Sequence, residues 1–229
     1  MIKLSRGEKP EELTNDVCEE LKKLYAEDKD MDVWNSSKIK EPLKKAMLEM
    51  SHGKCSYCEC KLGIESKDVT IDHFLPKSEN PDEVVEWENL FPACLRCNRK
   101  KNKREERIVN PCVDEPKEYL GVTSVNRYRL KGIDTQGIGK NTIEVIGLND
   151  IERVMVPRMT EWEALKVHLE EIEEDLKEEG YKNKYRNRLQ KIMENCLFDK
   201  SYAAVKATNL LNDSSYLQIK DYFIKEDQW

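Results

Sequence analysis

Two pairs of cysteines constrain this 229-residue chain more than any other feature: Cys55-x-x-Cys58 and, thirty-five residues further on, Cys94-x-x-Cys97. Each C-x-x-C turn aims two sulfurs at one point, and Zn²⁺ accepts four thiolates tetrahedrally at about 2.3 Å. Such a site is closed and leaves no position for substrate, so the expected role of Cys55, Cys58, Cys94 and Cys97 is structural. The ion would clamp together the two ends of a segment too short and polar to build a core of its own. Cys60 offers an alternative ligand through Cys58-x-Cys60, but Cys58 ranks first because it completes the pair. Cys18, Cys112 and Cys196 have no partners at metal spacing and read as small buried apolar residues. The N-terminal stretch MIKLSRGEKPEEL lacks an apolar leader, and no run approaches the roughly 18 apolar residues of a membrane span. A cytoplasmic setting is therefore expected, in which thiols stay reduced and point to metal before disulfides.

A net charge of −6 argues against a protein that coats nucleic acid nonspecifically, because a basic footprint is what releases phosphate counterions. The average hides a local excess. Between Cys94 and Arg107 lie Arg96, Arg99, Lys100, Lys101, Lys103, Arg104 and Arg107, opposed only by Glu105 and Glu106. An isolated run of this kind is usually a solvated helix face. Here it starts inside the second cysteine pair, which makes Arg96, Arg99, Lys100 and Lys101 candidate contacts to nucleic-acid phosphates.

The chain reads as three parts. Residues 1–50 form a helical segment, with Leu13, Val17, Leu21 and Leu24, then Ile39, Leu43, Ala46, Met47 and Met50, at helical spacing. Residues 51–110 carry the cysteines, turn residues and basic residues of a compact module. Residues 111–229 begin with two β-rich stretches, Val122 to Leu130 and Thr142 to Gly147, separated by the turn-like GIDTQGIGKN and expected either to pair as a hairpin or to lie on a small sheet. That loop is not a phosphate loop, since Asp134 and Asn141 stand where a glycine and a Ser or Thr are needed. Beyond Asn149 a helical pattern follows, with Trp162, Leu165, Leu169, Ile172 and Leu176 on one face and Pro157 beginning or breaking it. This region is a candidate for partner docking. The expected fold class is α+β: mainly helical, with a central zinc-stabilised module and a small β-rich segment.

Inside the gap between the cysteine pairs lies Val69-Thr70-Ile71-Asp72-His73. Its first residues favour a strand, which would present Asp72 and His73 at its end, facing a cleft. Asp72 is a hard oxygen ligand, and His73 can take a proton near neutral pH.

The strings CSYCE, VTIDHFLPKS and WENLFPACLRCNRKKN resemble an HNH endonuclease of the zinc-knuckle type, over roughly residues 50 to 110. The resemblance implies a ββα-metal fold in which Asp72 binds a catalytic Mg²⁺ or Mn²⁺ and His73 is the general base. Asn89 would bond to backbone and hold the loop around His73. The family's last letter is usually a metal-binding histidine directly after the second cysteine pair. Asn98 stands there instead, and its amide oxygen is an acceptable ligand for a hard cation.

A looser similarity covers most of the chain, through MIKLSRGEKPEEL, HFLPKS, IVNPC with Asp114 and Pro116, and TIEVIGLN. It is to the HNH nucleases of Septu and retron-associated anti-phage systems, the PtuB group. It implies a nucleic-acid substrate, DNA before RNA, and an ABC/SMC-like ATPase partner of the PtuA type. In a retron setting it also implies a reverse transcriptase and its DNA. The rival class is a zinc-stabilised binding module without catalysis. Asp72, His73 and Asn89 favour the enzyme, because a binding-only knuckle has no need of an adjacent acid and base.

Overall fold

The computed structural model describes residues 1–34, 38–66, 68–125 and 127–226. They fall into two compact units, residues 1–120 with 132–148, and residues 121–131 with 149–229.

In the first unit the N-terminal periodicity becomes α1 (Asn15–Glu27) and α2 (Lys40–Met50). Thr14 starts α1 by accepting a hydrogen bond from the Val17 amide, the usual way an orphan N–H at a helix start is satisfied. Leu13, Leu21, Leu43 and Met47 then pack against Val84, Val85, Trp87 and Leu90. Cys18 sits in the same core, as its lack of metal-spaced partners implied. This core supports a short hairpin. Strand β1 (Thr70–His73) pairs antiparallel with β2 (Leu90–Ala93), in a register that sets Asp72 opposite Phe91 and His73 opposite Leu90. Helix α3 (Leu95–Lys101) follows directly, completing a strand–strand–helix unit. Arg6 fastens the N-terminal strap to β2: its guanidinium lies 4.3 Å from the Phe91 ring centre and donates to the carbonyls of Trp87, Glu88 and Leu90.

Next come α4 (Pro116–Tyr119) and the paired strands β3 (Leu120–Val122) and β4 (Leu130–Gly132). The expected strand Val122 to Leu130 is thus present only at its two ends, with Asn126 outside the described residues. The second β-rich stretch is corrected outright, because Thr142 to Gly147 belongs to helix α5 (Ile138–Ile146) and its cap. Ile138, Thr142, Val145 and Ile146 are buried, and their spacing is that of one helical face. The Asp134 carboxylate accepts from the amides of Ile138 and Gly139, starting the helix within the presumed hairpin turn. Burial of that face outweighs the modest strand preference of Thr, Ile and Val.

The second unit is helical. Residues Ile151–Met155 form a π-helical turn leading into α6 (Val156–Glu179), followed by α7 (Asn183–Glu194), α8 (Ala203–Leu211) and α9 (Ser214–Lys225). Pro157 lies in the first turn of α6, directly after the π-helical turn, where the irregular bonding accommodates its missing N–H. Trp162, Leu169, Ile172 and Leu176 pack with Tyr185, Leu189, Ile219 and Phe223. Among the described residues no helix is long and apolar enough to cross a membrane.

Candidate active site and zinc clamp

The two cysteine pairs converge. The sulfurs of Cys55, Cys58, Cys94 and Cys97 lie within 4.8 Å of one another, and all four residues are buried. Zinc–sulfur bonds of about 2.3 Å in a tetrahedron put neighbouring sulfurs roughly 3.8 Å apart. The Cys58 and Cys94 sulfurs are separated by 3.8 Å, so this pair stands at the spacing the ion requires, and the remaining pairs lie within 4.8 Å. Local structure makes this possible. Cys94 ends β2 and caps α3, its sulfur accepting from the Cys97 amide. Cys60 is buried against this group, its carbonyl accepting from the Cys55 amide and its side chain meeting those of Cys55, Cys58 and Cys94, but it is not one of the four whose sulfurs all lie within 4.8 Å of one another.

Arg96 is placed on the clamp. One arm of its guanidinium donates to the Cys97 sulfur at 2.9 Å and the other to the Gly147 carbonyl at 3.1 Å. Burial works against the charge on Arg96, yet the surrounding thiolates, Cys97 first, hold its pKa above the ordinary value. Four thiolates around Zn²⁺ would leave an excess negative charge, which a neighbouring guanidinium would offset. Gly147 closes α5 in the left-handed conformation, φ 70°, and a Cβ there would meet the Lys100 side chain at 3.2 Å. Arg96→Ala is expected to weaken zinc binding by about tenfold, the low end for loss of an outer-shell partner. Zinc release to a competing chromogenic chelator measures this, and an unchanged release rate would detach Arg96 from the clamp.

Beside the clamp, β1 delivers Asp72 and His73. Asp72 is 3% exposed, and both carboxylate oxygens have partners within the chain. Tyr57 donates its hydroxyl to Oδ2, and the Lys101 ammonium lies 3.3 Å from Oδ1. Burial pushes the Asp72 carboxyl above its usual range, against the opposing pull of Lys101 and Tyr57. Lys101 is itself 1% exposed and also donates to the His73 carbonyl. It holds the end of β1 instead of reaching toward solvent.

The His73 ring is fixed by its Nε2, 2.9 Å from the Val84 carbonyl. A carbonyl can only accept, so Nε2 carries the proton and Nδ1 is left as the basic nitrogen. The ring also stacks near Trp34, with centroids 6.4 Å apart. Burial, with help from Lys77 and Lys101, lowers its pKa to about 4. Asn89, 4% exposed, makes three backbone hydrogen bonds, accepting from the Leu75 amide and donating to the carbonyls of Leu75 and Glu83. It therefore ties the segment after His73 to the turn that supplies Val84.

Asn98, in α3, donates through Nδ2 to the Thr70 hydroxyl, which leaves its amide oxygen as the group available to a ligand. Asp72, His73 and Asn98 line one cavity of about 530 Å³, together with Arg99. One carboxylate oxygen and one amide oxygen are donors suited to a hard divalent cation, and a carboxylate has lone pairs beyond those used by Tyr57 and Lys101. Of the expected basic contacts, Arg99 faces this cavity, Lys100 is exposed alongside Gly147, and Arg96 and Lys101 are engaged inside the module. Tyr57, Trp34 and Val84 were not foreseen as site residues. The aromatic residue between two knuckle cysteines was the one available signal.

Residues 55–104 match the family model described as HNH endonuclease. The chain is 34% identical to the Septu protein PtuB of Bacillus thuringiensis, over its whole length and 89% of that protein. It is also 27% identical to the Septu protein PtuB of Bacillus mycoides (strain KBAB4), over 48% of the chain and 47% of that relative. Cysteines gathered at one point, an Asp-His pair ending a strand and an asparagine-stapled loop thus accompany likeness along the full chain, and the protein belongs to the PtuB family of Septu HNH nucleases.

Proposed function

We propose that this chain is a divalent-metal-dependent endonuclease that hydrolyses phosphodiester bonds in nucleic acid, DNA in the first place, as the nuclease subunit of an anti-phage complex. The observation that carries the reading is the His73 ring, held by Val84 with its basic nitrogen unprotonated and sharing a cavity with Asp72 and Asn98. Asp72 and Asn98 would hold Mg²⁺ or Mn²⁺, which supplies positive charge against the charge that develops on a phosphate during hydrolysis. His73 takes a proton from the attacking water at Nδ1, and Val84 keeps the ring aimed by accepting from Nε2. Asn89 holds the backbone on which Val84 depends. Lys101 and Tyr57 hold the Asp72 carboxylate in place, and Arg99 is free to meet a phosphate at the cavity mouth.

The family resemblance further implies a partner ATPase of the ABC/SMC-like PtuA type, and a chain of net charge −6 suits an enzyme whose access to nucleic acid is controlled by a partner. Cleavage of supercoiled plasmid and of structured RNA, with Mg²⁺ or Mn²⁺ and with or without the ATPase, tests the reading. Cutting abolished by EDTA and restored by either ion is expected, and absence of cutting under every condition would reject it.

The pH profile adds a second arm to this test. A general base works unprotonated, so the rate falls as pH drops through its pKa. With that pKa near 4 and not the unperturbed value of about 6.5, His73 stays competent well into the acid range. Cleavage at pH 6 is expected within about twofold of that at pH 7.5, since deprotonation is complete at both. A half-maximal rate near pH 6.5 would contradict the burial assigned to this ring.

A further inference from the structure

A second cavity, of about 400 Å³, meets the first at His73, Asn98 and Lys77, which line both. Its far wall comes from the N-terminal helices and carries Lys40 and Lys44. The first cavity adds Lys29, Arg99 and Lys103. In a chain of net charge −6, this is a concentration of cations around one histidine. Among the described residues, Lys29, Lys77, Arg99 and Lys103 form no ion pair. The acidic groups facing the two cavities are Asp30, Asp32 and Asp72, and Asp72 is already paired with Lys101.

Two of these lysines are held in place. The Lys29 and Lys77 ammonium groups lie 4.6 and 4.9 Å from the centre of the same buried Tyr25 ring, and Lys77 also donates to the Met31 carbonyl. The ring attracts both cations and holds each beside it without neutralising either. Neither lysine is ion-paired among the described residues, so both charges remain available to a polyanion.

We propose that the two cavities form one track for a nucleic-acid phosphate backbone, running past His73, with the N-terminal helical segment as one wall and Lys29, Lys44 and Lys77 as phosphate contacts. The proposal rests on the nuclease reading for what happens at His73, but binding can be measured without chemistry. The track positions a backbone and reads no bases, so its affinity follows counterion release.

The test is fluorescence anisotropy of a labelled DNA duplex with the full-length zinc-loaded protein without added Mg²⁺ or Mn²⁺, from 50 to 200 mM salt. Duplex RNA of the same sequence, titrated in parallel, separates the two sources of such a backbone. For the double variant Lys29→Gln/Lys77→Gln, the slope of log K against log salt is expected to fall by about 1.8, at about 0.9 for each lost contact to duplex DNA. Lys44→Gln should lower it by about half as much. The pair Lys117→Gln/Lys140→Gln, which lines neither cavity, should leave it unchanged, and zinc content and melting should match wild type throughout.

An unchanged slope in the Lys29/Lys77 variant, an equal fall in the control pair, or no binding by wild type would overturn the track. Binding with the expected slopes by a protein that cuts nothing would uphold the track and reject the nuclease reading. Cutting by a protein whose slope ignores Lys29, Lys44 and Lys77 would do the reverse.

Discussion

Cys94→Ser protein is expected to purify without zinc and to melt at least 10 °C below wild type. Cys94 belongs to two structures at once, since its sulfur is one of the four gathered ligands and it also caps α3 by accepting from the Cys97 amide. Structural zinc in small domains contributes on the order of 10 kcal/mol to folding, and loss of even about 4 kcal/mol lowers the melting temperature of a chain this size by roughly 10 °C. The hydrophobic core on the α1 and α2 side of the hairpin cannot replace that contribution, because the sulfur cluster lies where the segment supplies polar and basic residues. Metal analysis and thermal unfolding read the result. Cys60→Ser should keep full zinc occupancy, since Cys60 touches the cluster but is not one of the four sulfurs that all lie within 4.8 Å of one another. Zinc retained in Cys94→Ser and lost in Cys60→Ser would invert the ligand assignment.

Much of this site was legible in the sequence because its logic is one of spacing. Two C-x-x-C turns can meet only if the intervening residues fold back, and a β-favouring run ending in Asp72-His73 supplies the strand that does so. Asn89, just before β2, was legible only through family resemblance. Nothing in its composition or spacing shows that its three hydrogen bonds would run to Leu75 and Glu83.

The basic run was harder to read, for a physical reason. On helix α3 successive residues point about 100° apart, so Lys101 turns away from the side that Arg96, Arg99 and Lys100 share at i, i+3 and i+4, and these three fan out to different neighbours. Lys101 turns inward to the buried Asp72, Arg96 to the sulfurs, and Arg99 to the open cavity. A charge count across the run cannot separate these roles. The lysines of the proposed track were invisible for the opposite reason. Lys29, Lys44 and Lys77 lie far apart along a chain with many exposed lysines, and only folding brings them round one histidine.

Helix α5 is masked in the sequence by Thr142, Ile143, Val145 and Ile146, whose strand preference competes with its helical periodicity. Ile138, Thr142, Val145 and Ile146 repeat at helical intervals, with Asp134 ahead of them and Gly147 behind. Those start and stop signals were present in the sequence, and the correction shows that they outrank local strand preference.

His73 carries the largest expected effect on activity. Its ring is the one group in the cavity whose orientation and tautomer are both fixed, by Val84 on one side and Trp34 across its face. Removing a positioned general base lowers rate by about 10²- to 10⁴-fold. The His73→Ala substitution leaves Asp72, Lys101, Asn98 and the four cysteines untouched, so the variant should bind zinc and nucleic acid as wild type does. The most direct measurement is therefore plasmid cleavage by wild type and His73→Ala at equal zinc content, with Mg²⁺ or Mn²⁺ and with the partner ATPase present, in the absence and presence of added imidazole. The expected result is a loss of at least about 100-fold in His73→Ala, partly reversed by imidazole entering the space the ring vacates. Cleavage by His73→Ala at the wild-type rate, with no response to imidazole, would contradict the assignment of His73 as the base.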